Sequence, residues 1–532
     1  MRPRTHHLVF ITLLLLCTSA ALYLPWRDNP LIFDDSHILK STALSDYALN
    51  PFSLMPRQFP YFTLGFENVI SNGDLHVSRY VNFVLHGINA FLLFLLGNRL
   101  LNGLLTPRRT LLTALAMAML FVLHPVAVYA VGYLVQRTIL LSTLFLLIAA
   151  LQFDQALSDR SWRRALVAGL CFGFAAMSKE HAVTGLLCIL GIALLHKSFS
   201  WAKSGPAVLA FMATGLPFAV WITCLKAGWV ATAYEPDALD IISNAGFPDA
   251  GSPFGNWLLS IAMQCLFFFR YLSFWWWPNP SGMSIDIRPD FSTLSGLPWI
   301  IIGPLVFFGL MGLLVCFLFS LKIRQELRIA AYGMLWAMSL FIVELSSVRF
   351  QEPLVLYRSY LWAPGFLLAL AGLLSLVPPR IAMLLAMIGV LTFAPLSWGR
   401  LSTFSDELKL WEEAALNLPI ATTPGALRIH YNRGLFLARS NQIEAAQEDL
   451  EWVINHSPQT FHGYYGRSLL HIYKKDFANA AIDLETVVRI NPTFGTAYFR
   501  LGLVLRKLGK SEESESAFLA AEALGIPRLV FK

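Results

Sequence analysis

Apolar stretches long enough to cross a bilayer follow one another through residues 1–400, with short polar turns between them. A crossing takes about 20 apolar residues at 1.5 Å of helical rise each. The runs fall near 8–24, 77–96, 110–128, 138–153, 165–177, a stretch reaching 195, 206–225, 299–321, 329–346, 361–377 and 381–396. They predict an all-α, polytopic membrane domain of about eleven spans over residues 1–400. His124-Pro125 interrupts the third run, and residues 25–76 form a long polar loop after the first. Residues 257–277 are apolar enough to cross, yet they hold Gln264 and Arg270 and end in Trp275-Trp276-Trp277-Pro278, an interfacial signature. This segment is expected to be re-entrant or interfacial, starting and ending on one face, with a simple crossing as the alternative.

Beyond residue 400 the pattern changes to amphipathic helices. Pro424, Pro458 and Pro492 recur every 34 residues, as do Gly434, Ser468 and Gly502. Ala446, Ala480 and Ser514 share the period, and so do Leu450, Leu484 and Phe518. Columns of small and apolar residues at this spacing predict a tetratricopeptide α-solenoid over 401–532, with repeats at 427–460, 461–494 and 495–528 and an extra helix near 406–418.

Composition sharpens the membrane assignment. Of 532 residues 56% are hydrophobic and 14% charged, with a mean hydropathy of +0.57; a soluble chain carries about 25% charged residues. The net charge of +7 needs no nucleic-acid partner, because Lys and Arg collect in loops that stay inside. The basic loops 99–109, 154–164 and 196–205 occur at every second loop, which puts them inside together with Arg2 and Arg4. The 25–76 loop, Lys179-Glu180, the 346–361 loop and the repeats are then expected on the opposite, outer face. Residues 1–7 lead into an uncleaved first span, since Ala21-Leu22-Tyr23-Leu24-Pro25-Trp26 is a poor processing site. Cys17, Cys171, Cys188, Cys224, Cys265 and Cys316 lie in apolar runs without metal spacing and read as small core residues.

The polar residues that interrupt this pattern are Phe33-Asp34-Asp35, Arg57-Gln58-Phe59-Pro60-Tyr61, Val81-Asn82 with His86-Gly87-Ile88-Asn89-Ala90, Leu123-His124-Pro125-Val126, Val135-Gln136-Arg137, Met177-Ser178-Lys179-Glu180-His181-Ala182-Val183 and Tyr357-Arg358-Ser359-Tyr360-Leu361. In this order, ahead of the repeats, they resemble the bacterial relatives of the transmembrane-and-TPR O-mannosyltransferases, membrane glycosyltransferases of the GT-C class. The chain departs from that pattern at Ile139 and His181, where the family often has Asp and Gln. The resemblance implies a polyprenyl-phosphate sugar donor, action on the outer face of the inner membrane, and an acidic motif in the first outer loop.

Transfer of a sugar to a hydroxyl needs a base, cations for the departing phosphate, and an apolar groove for the lipid tail. Asp34 is the candidate base and Asp35 its partner, although Asp-Asp-Ser also starts helices well. Arg358 is the first candidate for the donor phosphate, followed by Arg270 and Arg137; the plain alternative is interfacial snorkelling. His37, His76, Lys179, Glu180 and Tyr357 are candidates for substrate contact, with Lys179-Glu180 equally readable as a structural ion pair. His124 reads as a satisfied core histidine, and His86 and Asn89 as bonds between helices. Asp34, Asp35, His37 and Asp286 could supply metal ligands, but no spacing demands it and no cofactor is expected. The repeats, with Tyr431, Tyr464, Tyr465 and Tyr498, would hold an exported acceptor protein on their concave face. The alternatives are a membrane-anchored scaffold for an envelope or pilus complex and a transferase acting on envelope glycan or lipid.

Orientation is testable on its own. A Ser511→Cys thiol should react with an impermeant reagent on intact cells; reaction only after permeabilisation would put the repeats on the inner side.

Overall fold

The computed structural model of the chain describes residues 5–39, 43–50, 53–196, 200–233, 242, 252–290, 297–419 and 423–527. Among the described residues there is no strand, only isolated bridges such as Ala233 with Val348. The chain divides into two compact units, Met1–Ile285 with Ser292–Asp406, and Asp286–Phe291 with Glu407–Lys532.

The first unit contains α1 (Thr5–Tyr23), α2 (Asp34–Leu39), α3 (Ala43–Leu49), α4 (Gln58–Ile70), α5 (Leu75–Leu100), α6 (Pro107–Val122), α7 (Val128–Val131), α8 (Arg137–Asp159), α9 (Trp162–Ser178), α10 (Gly185–Leu195) and α11 (Trp201–Lys226). It continues with α12 (Pro253–Trp276), α13 (Leu297–Phe319), α14 (Gln325–Phe341), α15 (Ala363–Leu374) and α16 (Pro379–Thr403). Local chemistry sets the boundaries. Asp74 caps α5 by accepting from the His76 amide at 2.9 Å, Thr106 and Pro107 start α6, and Arg160 ends α8 in the left-handed region at φ 54°.

Eight of the described helices are long and apolar enough to cross a membrane, nine if the bent pair α6–α7 counts as one span. That is short of the eleven expected from hydropathy. The apolar stretches Glu180–Leu195 and Ala363–Leu374 fall below the usual span length, and α9 has only 17 residues. The bend of 46° between α6 and α7 sits at His124-Pro125. His124 is buried and satisfied there, its ring nitrogens 3.1 Å from Trp275 O and 3.2 Å from the Val126 amide. His86 and Asn89 both reach the Tyr360 hydroxyl, at 2.8 and 3.2 Å, joining α5 to the segment before α15.

α12 is a single unbroken helix of 24 residues. Its polar contacts stay with one stretch of chain from end to end. Trp257 Nε1 donates to Leu345 O at 2.8 Å, Gln264 to Pro353 O at 2.9 Å, and Trp275 Nε1 to Ser359 Oγ at 2.9 Å.

α14 and α15 touch backbone to backbone. A Cβ on Gly333 would sit 2.6 Å from Gly365 O, and one on Gly372 2.7 Å from the Ala330 amide nitrogen. Only residues without side chains allow this approach. It fixes the end of α14, which carries Glu344, against the start of α15, which follows Arg358.

The second unit is helical hairpins: α17 (Glu407–Leu416), then α18 (Ala426–Arg439) with α19 (Ile443–His456), α20 (Phe461–Tyr473) with α21 (Phe477–Ile490), and α22 (Gly495–Lys507) with α23 (Ser511–Ala523). The 34-residue columns occupy its interior. Ala446, Leu450, Ala480 and Leu484 are fully buried, and Gly434 and Gly502 face Leu450 and Phe518. Asp286 is tied into this unit by Arg288 at 2.8 Å and Arg428 at 2.8 Å. Leu484→Ala should cost about 2–5 kcal/mol of repeat stability. Limited proteolysis of the full chain should then release C-terminal fragments earlier while the membrane unit stays intact; an unchanged cleavage rate would contradict this packing.

Candidate active site

The two adjacent aspartates have different surroundings. Phe33 adopts a left-handed backbone conformation at φ 47°, which a non-glycine residue takes at a cost of about 1–2 kcal/mol. α2 begins immediately after it. Asp35 turns inward and is fully buried; the Val135 and Leu134 amides donate to its two carboxylate oxygens at 2.8 and 3.2 Å. Burial pushes its carboxyl up to about 7 against the pull of those amides. Asp34 is exposed, and its backbone amide donates to the Tyr133 hydroxyl at 3.1 Å. Asp35 thus pins α2 to the turn at 134–136, and Asp34 is left facing solvent.

From Tyr133 a line of aromatic contacts leads to a cluster of charges. The Tyr133 and Tyr357 rings meet edge to face, with centroids 5.8 Å apart, and the Arg358 guanidinium lies 6.0 Å from the Tyr357 ring. Arg358 binds Glu344 at 3.1 Å and Glu352 at 2.8 Å. Glu344 also lies 2.9 Å from His181 and 3.5 Å from Arg349. Arg57 holds Glu180 through Nε at 3.0 Å and through a second contact from its terminal nitrogen. The Arg57 amide donates to Met177 O at 2.7 Å, fixing the first loop onto the 177–181 turn. Loops near residues 34, 57, 180 and 350, far apart in sequence, therefore converge.

Lys179 stands apart in this cluster. It is 5% exposed and its ammonium makes no hydrogen bond or ion pair with the described residues, although Arg57, Glu180, Arg358 and Glu344 all act on its charge. Burial, reinforced by the Arg57 charge, lowers its ammonium to about 7. Arg57, Lys179, Arg349 and Arg358 face Glu180, Glu344 and Glu352, so the cluster carries one more positive than negative charge when all are ionised.

The remaining sequence candidates lie elsewhere or serve the frame. Arg137 is wholly buried; it pairs with Glu67 at 2.6 Å and donates to Asn82 Oδ1 at 2.8 Å and Ser78 O at 2.7 Å. Those partners engage its guanidinium and hold the 134–136 turn through Asn82. Arg270 is exposed and lies over the Phe274 ring at 5.2 Å. His76 caps the loop surface with Asp28 and Asp74, at 2.8 and 2.9 Å. The His37 side chain lies outside the described residues. Asp286 is engaged by arginines in the second unit, and among the described residues no group of three or more His, Cys, Asp and Glu side chains has metal-binding geometry. Sequence reasoning did not place Tyr133, Arg57, Glu344, Arg349 or Glu352 in the site. Glu344, an acid at the end of an apolar helix, carried a usable signal.

Residues 56–222 match the family model described as dolichyl-phosphate-mannose-protein mannosyltransferase. The match points to membrane glycosyltransferase chemistry of the GT-C type over this stretch. Residues 495–524 match a tetratricopeptide-repeat model, and no curated protein matches the chain. The first match takes in Arg57, Glu67, Arg137, Lys179 and Glu180, and ends before Arg358.

The two aspartates should separate on substitution. Asp35→Asn sets an amide NH2 against a backbone N–H and should cost about 1–3 kcal/mol, read as a lower unfolding temperature in detergent. Asp34→Asn should leave stability within about 0.5 kcal/mol. Equal unfolding temperatures for the two variants would remove the positioning role of Asp35.

Proposed function

We propose that the chain transfers a sugar from a polyprenyl-phosphate donor to a hydroxyl of an exported protein, on the outer face of the inner membrane. The observation that carries this reading is the exposed Asp34, linked through Tyr133 and Tyr357 to a charge cluster whose ammonium, Lys179, has no partner among the described residues. The Asp34 carboxylate takes the proton of the acceptor hydroxyl. The hydroxyl oxygen bonds to the anomeric carbon as the bond from that carbon to the phosphate oxygen breaks. The electron pair leaves on the phosphate, where Lys179, Arg57 and Arg358 meet its charge, as guanidinium and ammonium groups do in other phosphate sites. In this reading protein cations, rather than a cofactor, neutralise the leaving group. Arg349 supports Arg358 through their shared partner Glu344. The repeats hold the acceptor, as stacked helix pairs with a concave face do elsewhere.

Asp34→Asn should lower transfer by about 10²–10⁴-fold, the usual contribution of a positioned base. The assay is mass spectrometry of exported proteins from cells with and without the active chain, reading the loss of a sugar-sized increment. Unchanged modification in a folded Asp34→Asn variant would overturn the assignment.

Lys179 gives a pH signature. Its charged form is present below about pH 7 and lost above it. In the free enzyme, kcat/KM for the donor should therefore fall as pH rises through about 7. Lys179→Arg keeps the charge and should flatten that limb. A limb that persists in Lys179→Arg would assign it to another group.

A further inference from the structure

A cavity lies in the membrane unit, away from the charge cluster. It has a volume of about 1060 Å³ and opens between α6, α15 and α16. α6 and α16 begin at this cavity and α15 ends at it, whereas α15 starts just after Arg358. The cavity therefore occupies the end of these helices opposite the active site. Its walls are apolar, with Leu112, Ala116, Leu370, Met383 and Met387 among them. Its rim carries Arg108, Arg109 and Arg380, and among the described residues no Asp or Glu lines it. Arg109 caps the end of α15, donating to Ser375 O at 3.0 Å, but its buried Nε has no acceptor among the described residues. Arg108 and Arg380 are exposed. Glu326, the carboxylate that feels Arg109, is already held by Arg324 at 3.1 Å.

An apolar groove between membrane helices under a rim of arginines has the chemistry of a phospholipid with an anionic headgroup. We propose that this groove binds one such phospholipid, its acyl chain against α6 and α16 and its phosphate on Arg108, Arg109 and Arg380. Charge complementarity argues for an anionic headgroup over a zwitterionic one, and the length of apolar wall argues for an acyl chain over a free anion. Basic pockets between helices hold anionic headgroups in this way in other membrane proteins. Under the outward reading of the active site, the groove opens on the cytoplasmic leaflet, where such lipids are abundant. The inference does not rest on that reading, because it concerns a different set of side chains.

The test uses the full chain purified in detergent. Native mass spectrometry after addition of phosphatidylglycerol or phosphatidylcholine of matched acyl chains should show preferential retention of phosphatidylglycerol. The R108Q/R380Q variant should lose that preference by about fivefold per arginine. Ala116→Trp, which fills the groove and leaves the arginines, should also lose it. Arg109 is kept in both variants because it holds α15. Equal retention of the two lipids by the unaltered chain would overturn the proposal, as would a preference that survives R108Q/R380Q. A preference that survives Ala116→Trp would reduce the site to a headgroup patch and overturn the groove. Displacement of phosphatidylglycerol by an equimolar polyprenyl phosphate would assign the groove to the donor's carrier instead, and this too would overturn it.

Discussion

Charge in an apolar interior must be paired, and that constraint decides where this chain can place its polar chemistry. An isolated buried ion is far too costly to hold, and removing one partner of a buried pair costs about 3–5 kcal/mol. Here each pair also acts as a long-range tie. Glu344 at the end of α14 gathers His181 and Arg358. Glu180 holds Arg57 of the first loop, and Glu67 of α4 holds Arg137 at the start of α8. The same pairs that satisfy desolvation assemble the site from four loops. Lys179 is the departure from the rule, and its lowered basicity follows from burial and the neighbouring Arg57 charge.

The aspartate pair shows how a backbone constraint divides two identical side chains. Phe33 in the left-handed region turns the chain so that α2 starts with one carboxylate out and one in. The inward one is consumed by two amides of the 134–136 turn. That turn is itself held by Asn82, whose amide donates to Val131 O and Leu134 O and whose carbonyl accepts from Arg137. Arg137 thus bears on Asp34 through Asn82, the turn and Asp35, without touching any reacting group.

Much of the fold was legible because its signals are periodic. Apolar runs located most of the long helices within a few residues, and the 34-residue columns placed the hairpins of the second unit. The bend at His124-Pro125 was legible from proline chemistry. Hydropathy marks eleven spans where helix length and composition together support eight or nine, because α9, α10 and α15 are apolar yet short. The site was half legible. Asp34, Lys179, Glu180, Tyr357 and Arg358 stood out as polar residues at the ends of apolar runs. Tyr133 did not, since an aromatic in an apolar stretch reads as core. The pairing of Arg137 was not legible, because an arginine that opens a helix looks the same in sequence whether it faces a phosphate or a glutamate on another helix.

The repeat unit follows the same pairing logic and explains its uneven visibility. Arg433 binds Asp449, and Arg467 binds Asp483, each bidentately and at equivalent positions of the first two repeats. The third repeat has Leu501 and Ala517 at those places, both buried. The first two hairpins therefore hold their paired helices with an inward ion pair where the third uses apolar contact. An ion pair at a packing position is a departure from the usual small-and-apolar pattern of such repeats, and residues 495–524, where the bridge is apolar, match the repeat model. The geometry is nonetheless shared by all three hairpins, because an arginine–aspartate pair and a leucine–alanine pair bridge the same interhelical gap. The fold needs only that the bridge be filled, whatever its chemistry.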